Sequence, residues 1–160
     1  MHQILDVWGE GRIVDHSIRP PVITGFIDTY NINKIGQRIS NGPQTGQIIP
    51  NLLPVSEYEN PLFPVDDRSV GHVTLMGAPI TAGTAREMCR VLALPGTIYL
   101  YDPNDFDRRT FEAVAQEFGV HLLGRFRPSE LEPPFSEISL LAAYVYVSTP
   151  PTLPKPESRV

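Results

Sequence analysis

The stretch that most constrains this chain is Thr84–Asp102, TAREMCRVLALPGTIYLYD. Apolar residues at Ala85, Met88, Cys89 and Leu92 form one stripe at helical spacing. Leu94-Pro95-Gly96 then stops the helix, because proline cannot continue it and glycine accepts the left-handed turn that ends it. Thr97–Tyr101 is β-branched and aromatic and suits a buried strand. A helix feeding straight into a strand is half of a β-α-β unit, so the chain is expected to fold as an α/β domain with a mostly parallel sheet.

Other segments supply that sheet. Gln3–Val7 reads as the first strand and runs into Trp8-Gly9-Glu10-Gly11-Arg12. Val22–Asp28 reads as the second. The intervening Ile13–Pro21 is short and carries two prolines, whereas a right-handed crossover needs roughly ten residues or more. The first crossover helix is therefore expected to be missing or reduced to a turn, leaving strands one and two free to pair as antiparallel neighbours. Asn31–Pro64 is broken by Gly and Pro and reads as a long irregular connection, with Ile48–Leu53 a short third strand interrupted at Pro50. Val73–Met76 is the fourth strand and ends at Gly77-Ala78-Pro79. After the fifth strand, Asp105 is expected to cap a helix with the inner stripe Phe106, Phe111, Val114, Ala115 and Phe118, stopped by Gly119. Val120–Phe126 and Glu137–Ser148 are the last two strands, an antiparallel pair joined by a turn over Pro128–Pro134. Residues 1–148 are expected to form one domain, followed by a Pro-rich tail over 149–160.

Composition limits the function. The net charge of −5 gives no global basic field for nucleic acid; Arg108, Arg109, Arg125 and Arg127 leave a local basic patch open, with a solvated face the favoured reading. The single cysteine, Cys89, excludes an intramolecular disulfide and sits on the helix stripe as a small core residue. No apolar run approaches the roughly 18 residues of a membrane span. No His/Cys/Asp spacing matches a metal site, and neither a phosphate-loop motif nor a nucleophile elbow is present. His72 reads as a structural histidine. The chemistry-bearing types crowd behind the first strand, where open α/β sheets bind their ligands. There Trp8 offers a stacking face, Glu10 a general base, Arg12 a bidentate anion contact and His16 an acid or base near neutral pH.

Several of these segments resemble class I S-adenosylmethionine-dependent methyltransferases. Glu87, Arg90, Val91, Leu92 and Gly96 match the family's E-x-x-R-V-L-K-P-G-G before its fifth strand, with Pro95 one place late. Asp6, Gly9 and Gly11 resemble its D-x-G-x-G-x-G loop, in a register one residue short and with Trp8 near a glycine position. Leu62–Ser69 resembles the L-P-F-P-D-x-S-F-D run before strand four. The resemblance implies a three-layer Rossmann-like sheet, mostly parallel with an antiparallel last strand. It also implies S-adenosylmethionine as cofactor, held by Asp6, Trp8, Gly9, Gly11, Asp28 at the end of strand two, and Gly77 at the end of strand four.

A narrower resemblance rests on Gly9-Glu10-Gly11-Arg12, Ile49-Pro50-Asn51 and the blocks Ala78–Thr81 and Glu87–Leu92. These are similar to compact methyltransferase-like domains at the C-termini of bacterial polymorphic (Rhs-type) toxins. That likeness implies an effector domain, secreted from a bacterium and acting in a target cell's cytoplasm. Glu10, Arg12 and His16 would then work on a nucleotide, nucleic-acid or protein target, and an immunity protein would be the partner. Met1 would mark where such a module is cut from a longer chain. An active methyltransferase and a non-catalytic binding module are the alternatives.

Overall fold

The computed structural model describes residues 4–13 and 29–149. Seven strands form one sheet: β1 (Ile4–Val7), β2 (Thr29–Lys34), β3 (Leu52–Val55), β4 (Val70–Met76), β5 (Leu92–Tyr101), β6 (Val120–Phe126) and β7 (Ala143–Ser148). Their spatial order is β3-β2-β1-β4-β5-β7-β6. The first five run parallel, and β7 inserts antiparallel between β5 and β6. Helix α1 (Ala82–Val91) links β4 to β5, and α2 (Asp105–Glu117) links β5 to β6.

Strand alternation sorts the core into two layers. Leu5, Val7, Val73, Leu75, Ile98 and Leu100 face the two helices, which bury Ala85, Met88, Val91, Phe111 and Val114 against them. On the other face Ile4, Tyr99, Tyr101 and Val145 meet Ile13, Phe135 and Ile138. That face is closed by short 3-10 turns at Pro128–Glu130 and Phe135–Glu137. His72 packs there against the Phe135 ring, 4.9 Å between centroids. Burying a side chain such as Met88 on the helix side or Phe135 on the other contributes about 1.5–3 kcal/mol, so each layer stabilises the sheet substantially.

The α/β class, the mostly parallel sheet and the antiparallel last pair agree with the sequence reading. Several boundaries do not. Strand two is Thr29–Lys34, in the segment read as irregular; Val22–Asp28 lies outside the described residues. β1 and β2 pair in parallel, Ile4 opposite Thr29 through Val7 opposite Ile32, and not antiparallel. The connection between them is Trp8–Asp28, ample for a crossover. Whether it holds a helix falls on residues outside the description. The helix deficit is seen instead at 35–51 and 56–69, which join β2 to β3 and β3 to β4 without one.

The third strand follows Pro50 instead of spanning it, and Pro54 is tolerated because β3 is an edge strand. Helix α1 stops at Val91, so Leu92 opens β5 and Pro95-Gly96 fall inside that strand, at an irregularity opposite Val70–His72. Asn104, not Asp105, caps α2: its side chain accepts from Asp107 N–H at 2.7 Å. Phe106 and Phe118 are 71% and 40% exposed and do not belong to the inner stripe. The last strand starts only at Ala143. Asp102 accepts the Leu141 and Ala142 N–H groups at 3.0 and 2.8 Å and holds the preceding segment off the sheet.

Candidate functional site: a cleft at the carboxyl ends of β1, β2 and β4

The strand order reverses between β1 and β4, and a crevice opens beyond the carboxyl ends at that point. It is a cavity of about 400 Å³. Trp8 and Glu10 enter it from the loop after β1, Asn33 from the end of β2, Gln37 from the β2–β3 connection, and Tyr58 from the β3–β4 connection. Ala78, Pro79 and Thr81 close it from the segment between β4 and α1.

Beneath the loop after β1 lies a buried polar cluster. Asp6 lies on β1 with its Oδ1 accepting the Thr74 hydroxyl at 2.8 Å. Burial pushes its carboxyl up to about 7, against the lowering effects of the Thr74 hydrogen bond and the Arg12 charge. Its Oδ2 has no hydrogen-bond partner among the described residues. Asn31 and Asn33 on β2 lie on the same side of the sheet. Asn31 Nδ2 donates to the Pro50 carbonyl at 2.8 Å, and its Oδ1 accepts the Gly11 N–H at 3.2 Å. Asn33 Nδ2 donates to the Gly9 carbonyl at 3.1 Å. Both carboxamides thus pin the β1 loop, and both stand in a strand because backbone groups satisfy them.

The loop's shape follows from that packing. A Cβ on Gly9 would press into Asn31 Oδ1 and Asp6 Oδ2, so only glycine fits. Trp8 has φ +59° and Gly11 φ +86°, both left-handed, so the tryptophan stands in a conformation that glycine adopts at little cost. Its ring meets Tyr58 edge-on at 4.7 Å, and Lys34 Nζ lies 5.5 Å from the Tyr58 ring.

Glu10 is held by the β2–β3 connection. Its Oε1 accepts the Ser40 N–H and its Oε2 the Ser40 hydroxyl, each at 2.8 Å. Arg12 Nη2 is 4.0 Å from Oε1, with its side chain half exposed.

Of the residues singled out in the sequence, Trp8 and Glu10 line the cleft; Asp6, Gly9 and Gly11 shape it from beneath; Arg12 flanks it. Gly77 turns the chain out of β4 at φ +66°, donating to the Tyr101 carbonyl at 3.2 Å, and the next two residues form the wall. His16 and Asp28 lie outside the described residues. The carboxyl end of β2 carries Asn33 and Lys34, with no acidic residue. Gln37, Ser40 and Tyr58 were missed, since each belongs to a connection that only tertiary structure brings to the cleft. The alternation Asn31-Ile32-Asn33 was the available signal for a strand with one polar, inward face.

No protein-family model matches the chain, and no curated protein matches its sequence. Solved structures do share its fold. One comes from the complex between the Haloferax volcanii Trm112 methyltransferase activator and the putative methyltransferase, with TM-score 0.55 and 15% identity over 96% of this chain and 86% of that one. Another is a putative S-adenosylmethionine-dependent methyltransferase from Listeria monocytogenes, with TM-score 0.53 and 9% identity over 93% and 92%. The 16S rRNA methyltransferase KamB gives TM-score 0.52 and 14% identity over 94% and 89%. At such identities the likeness establishes the fold: a Rossmann-like sheet of the class I methyltransferase type.

Proposed function

We propose that this chain is an S-adenosylmethionine-dependent methyltransferase that takes its cofactor in the cleft between Trp8, Glu10 and Tyr58. The observation that carries the reading is the position of the cavity, at the switch point of a methyltransferase-type sheet. Its volume of about 400 Å³ is that of a small-molecule site. The residues present fit an adenosyl group. Trp8 and Tyr58 offer aromatic surface, Glu10 offers acceptor oxygens, and Gly9 leaves no side chain between the loop and the strands below it. When bound, S-adenosylmethionine supplies an electrophilic methyl group on its sulfonium.

The chain's own part is binding and exclusion of water. Trp8 and Tyr58 cover the apolar side, Glu10 accepts from the polar side, and Ala78-Pro79 form the wall along which an acceptor enters. The similar structures named above support this reading over a delivered toxin. They also make an activator-type protein, more than an immunity protein, the partner to seek. Of the effector trio, Glu10 lines the cleft and Arg12 flanks it, while His16 lies outside the described residues.

Isothermal titration with S-adenosylmethionine, S-adenosylhomocysteine and ATP tests the proposal. Micromolar binding of the first two, with ATP much weaker, is expected. Absence of heat with either at millimolar concentration overturns it.

A further inference from the structure

We infer that Asn41 is a site of deamidation, and that losing its carboxamide releases the contact by which Ser40 holds Glu10 in the cleft. The inference stands on the chain's own chemistry and does not depend on the methyltransferase reading. Asn41-Gly42 is the single Asn-Gly pair in the sequence. Glycine has no Cβ to shield its nitrogen, so that nitrogen can attack the side chain before it. Both residues are exposed, and a Cβ at Gly42 would meet nothing within 4 Å. Gly42 stands at φ +88°, and among the described residues its N–H has no hydrogen-bond partner. The nucleophile is therefore neither shielded nor tied up.

The reaction balances with water as its co-reactant. The Gly42 nitrogen bonds to Asn41 Cγ, the Cγ–Nδ2 bond breaks, and Nδ2 leaves as ammonia with the proton that the Gly42 nitrogen gave up. Water then opens the resulting succinimide at either carbonyl, giving aspartate or isoaspartate. Asn41 is one end of a short relay into the cleft. Its Nδ2 donates to Ser40 Oγ at 3.2 Å. The Ser40 hydroxyl donates to Glu10 Oε2, and the Ser40 N–H to Oε1, each at 2.8 Å. Deamidation puts a carboxylate where Ser40 had a donor, and that carboxylate both repels Glu10 and competes with it for the hydroxyl proton. Isoaspartate also adds a methylene to the main chain. It does so inside a turn closed by Ile39 N–H to Gln47 O at 3.0 Å and Gly46 N–H to Ile39 O at 2.8 Å. Either product frees Glu10, so the cleft loses its fixed carboxylate as the chain ages.

The test is ageing of the purified chain at pH 8, beside Asn41→Gln and Asn41→Asp. Glutamine keeps the amide but must close a larger ring, which is far slower; aspartate is one of the two products. The tryptic peptide over 39–68 also holds Asn51 and Asn60, followed by Leu and Pro, as internal controls. Peptide mapping should find aspartate and isoaspartate at position 41 and intact asparagine at the two controls. Hydrogen exchange is then read by NMR. The Ser40 amide should exchange at least about ten-fold faster in the aged chain and in fresh Asn41→Asp than in fresh wild type or aged Asn41→Gln, as loss of a hydrogen bond to a charged group allows. The amide of Ile98, fully buried in β5, should stay protected in every sample. An intact Asn41 after ageing overturns the inference. So does a deamidated chain whose Ser40 amide exchanges at the fresh rate, because the Ser40–Glu10 contact would then be independent of Asn41. Loss of protection at Ile98 together with Ser40 would mean general loosening, and overturns the local release.

Discussion

Replacing Asp6 by asparagine tests the electrostatics beneath the loop after β1. Asp6 is fully buried, accepts one hydrogen bond from Thr74, and has its other oxygen beside Gly9 and Asn31 Oδ1. Desolvation raises its pKa from 3.8 to about 7. Between those two values the folded protein keeps a proton that the unfolded chain has released, so this group's contribution to stability falls as pH rises. Each pH unit well inside that window is worth about 1.4 kcal/mol, and as the slope flattens on approaching pH 7 this gives about 2 kcal/mol between pH 5 and pH 7. Above pH 7 the loss levels off. The carboxamide of the Asp6→Asn variant keeps the acceptor for Thr74 and never titrates. Urea unfolding of both proteins at pH 5, 6, 7 and 8 isolates the effect from the other titrating groups. The stability of wild type relative to Asp6→Asn should drop by about 3 kcal/mol across that range. A difference independent of pH would refute the assignment of a protonatable carboxyl beneath the loop.

Three further perturbations separate binding from folding. Trp8→Ala removes the stacking face and should weaken S-adenosylhomocysteine binding by roughly ten-fold or more, since base–aromatic stacking is worth about 1–3 kcal/mol; calorimetry checks it. Gly9→Ala forces a methyl against Asn31 and Asp6 and should lower stability by about 1–3 kcal/mol in urea unfolding. Arg90→Ala should cost about 3 kcal/mol in the same assay without altering ligand affinity. It strips Glu87, which also accepts the Phe63 N–H, of its charge partner, and it releases the Phe63 and Val65 carbonyls and Asp67.

The α1–β5 junction was legible because one stripe of apolar residues and a β-branched run stand on either side of it. The helix end was read late, since Leu92 continues the stripe while already belonging to β5. In α2 the stripe was drawn too wide: Phe106 is five residues before Phe111, about 140° round the helix, and so points to solvent. Strand two escaped notice because asparagines are poor strand formers by propensity, and only the β1 loop and Pro50 make Asn31 and Asn33 favourable there. Trp8 and Glu10 could be read as site residues from their place behind a first strand. Tyr58 and Ser40 could not, because the cleft is where chain segments distant in sequence meet. Glu87 and Arg90 were read as part of a family motif; in the structure they clamp residues 63–67 to α1, so their spacing reflects packing.

The central claim is that the cleft around Trp8 binds the adenosyl cofactor. Trp8 is the chain's single tryptophan, so its fluorescence reports on this site alone. Titration with S-adenosylhomocysteine should change that emission saturably, with a micromolar midpoint that agrees with calorimetry. Emission unchanged to millimolar ligand, with the protein folded, would contradict the account.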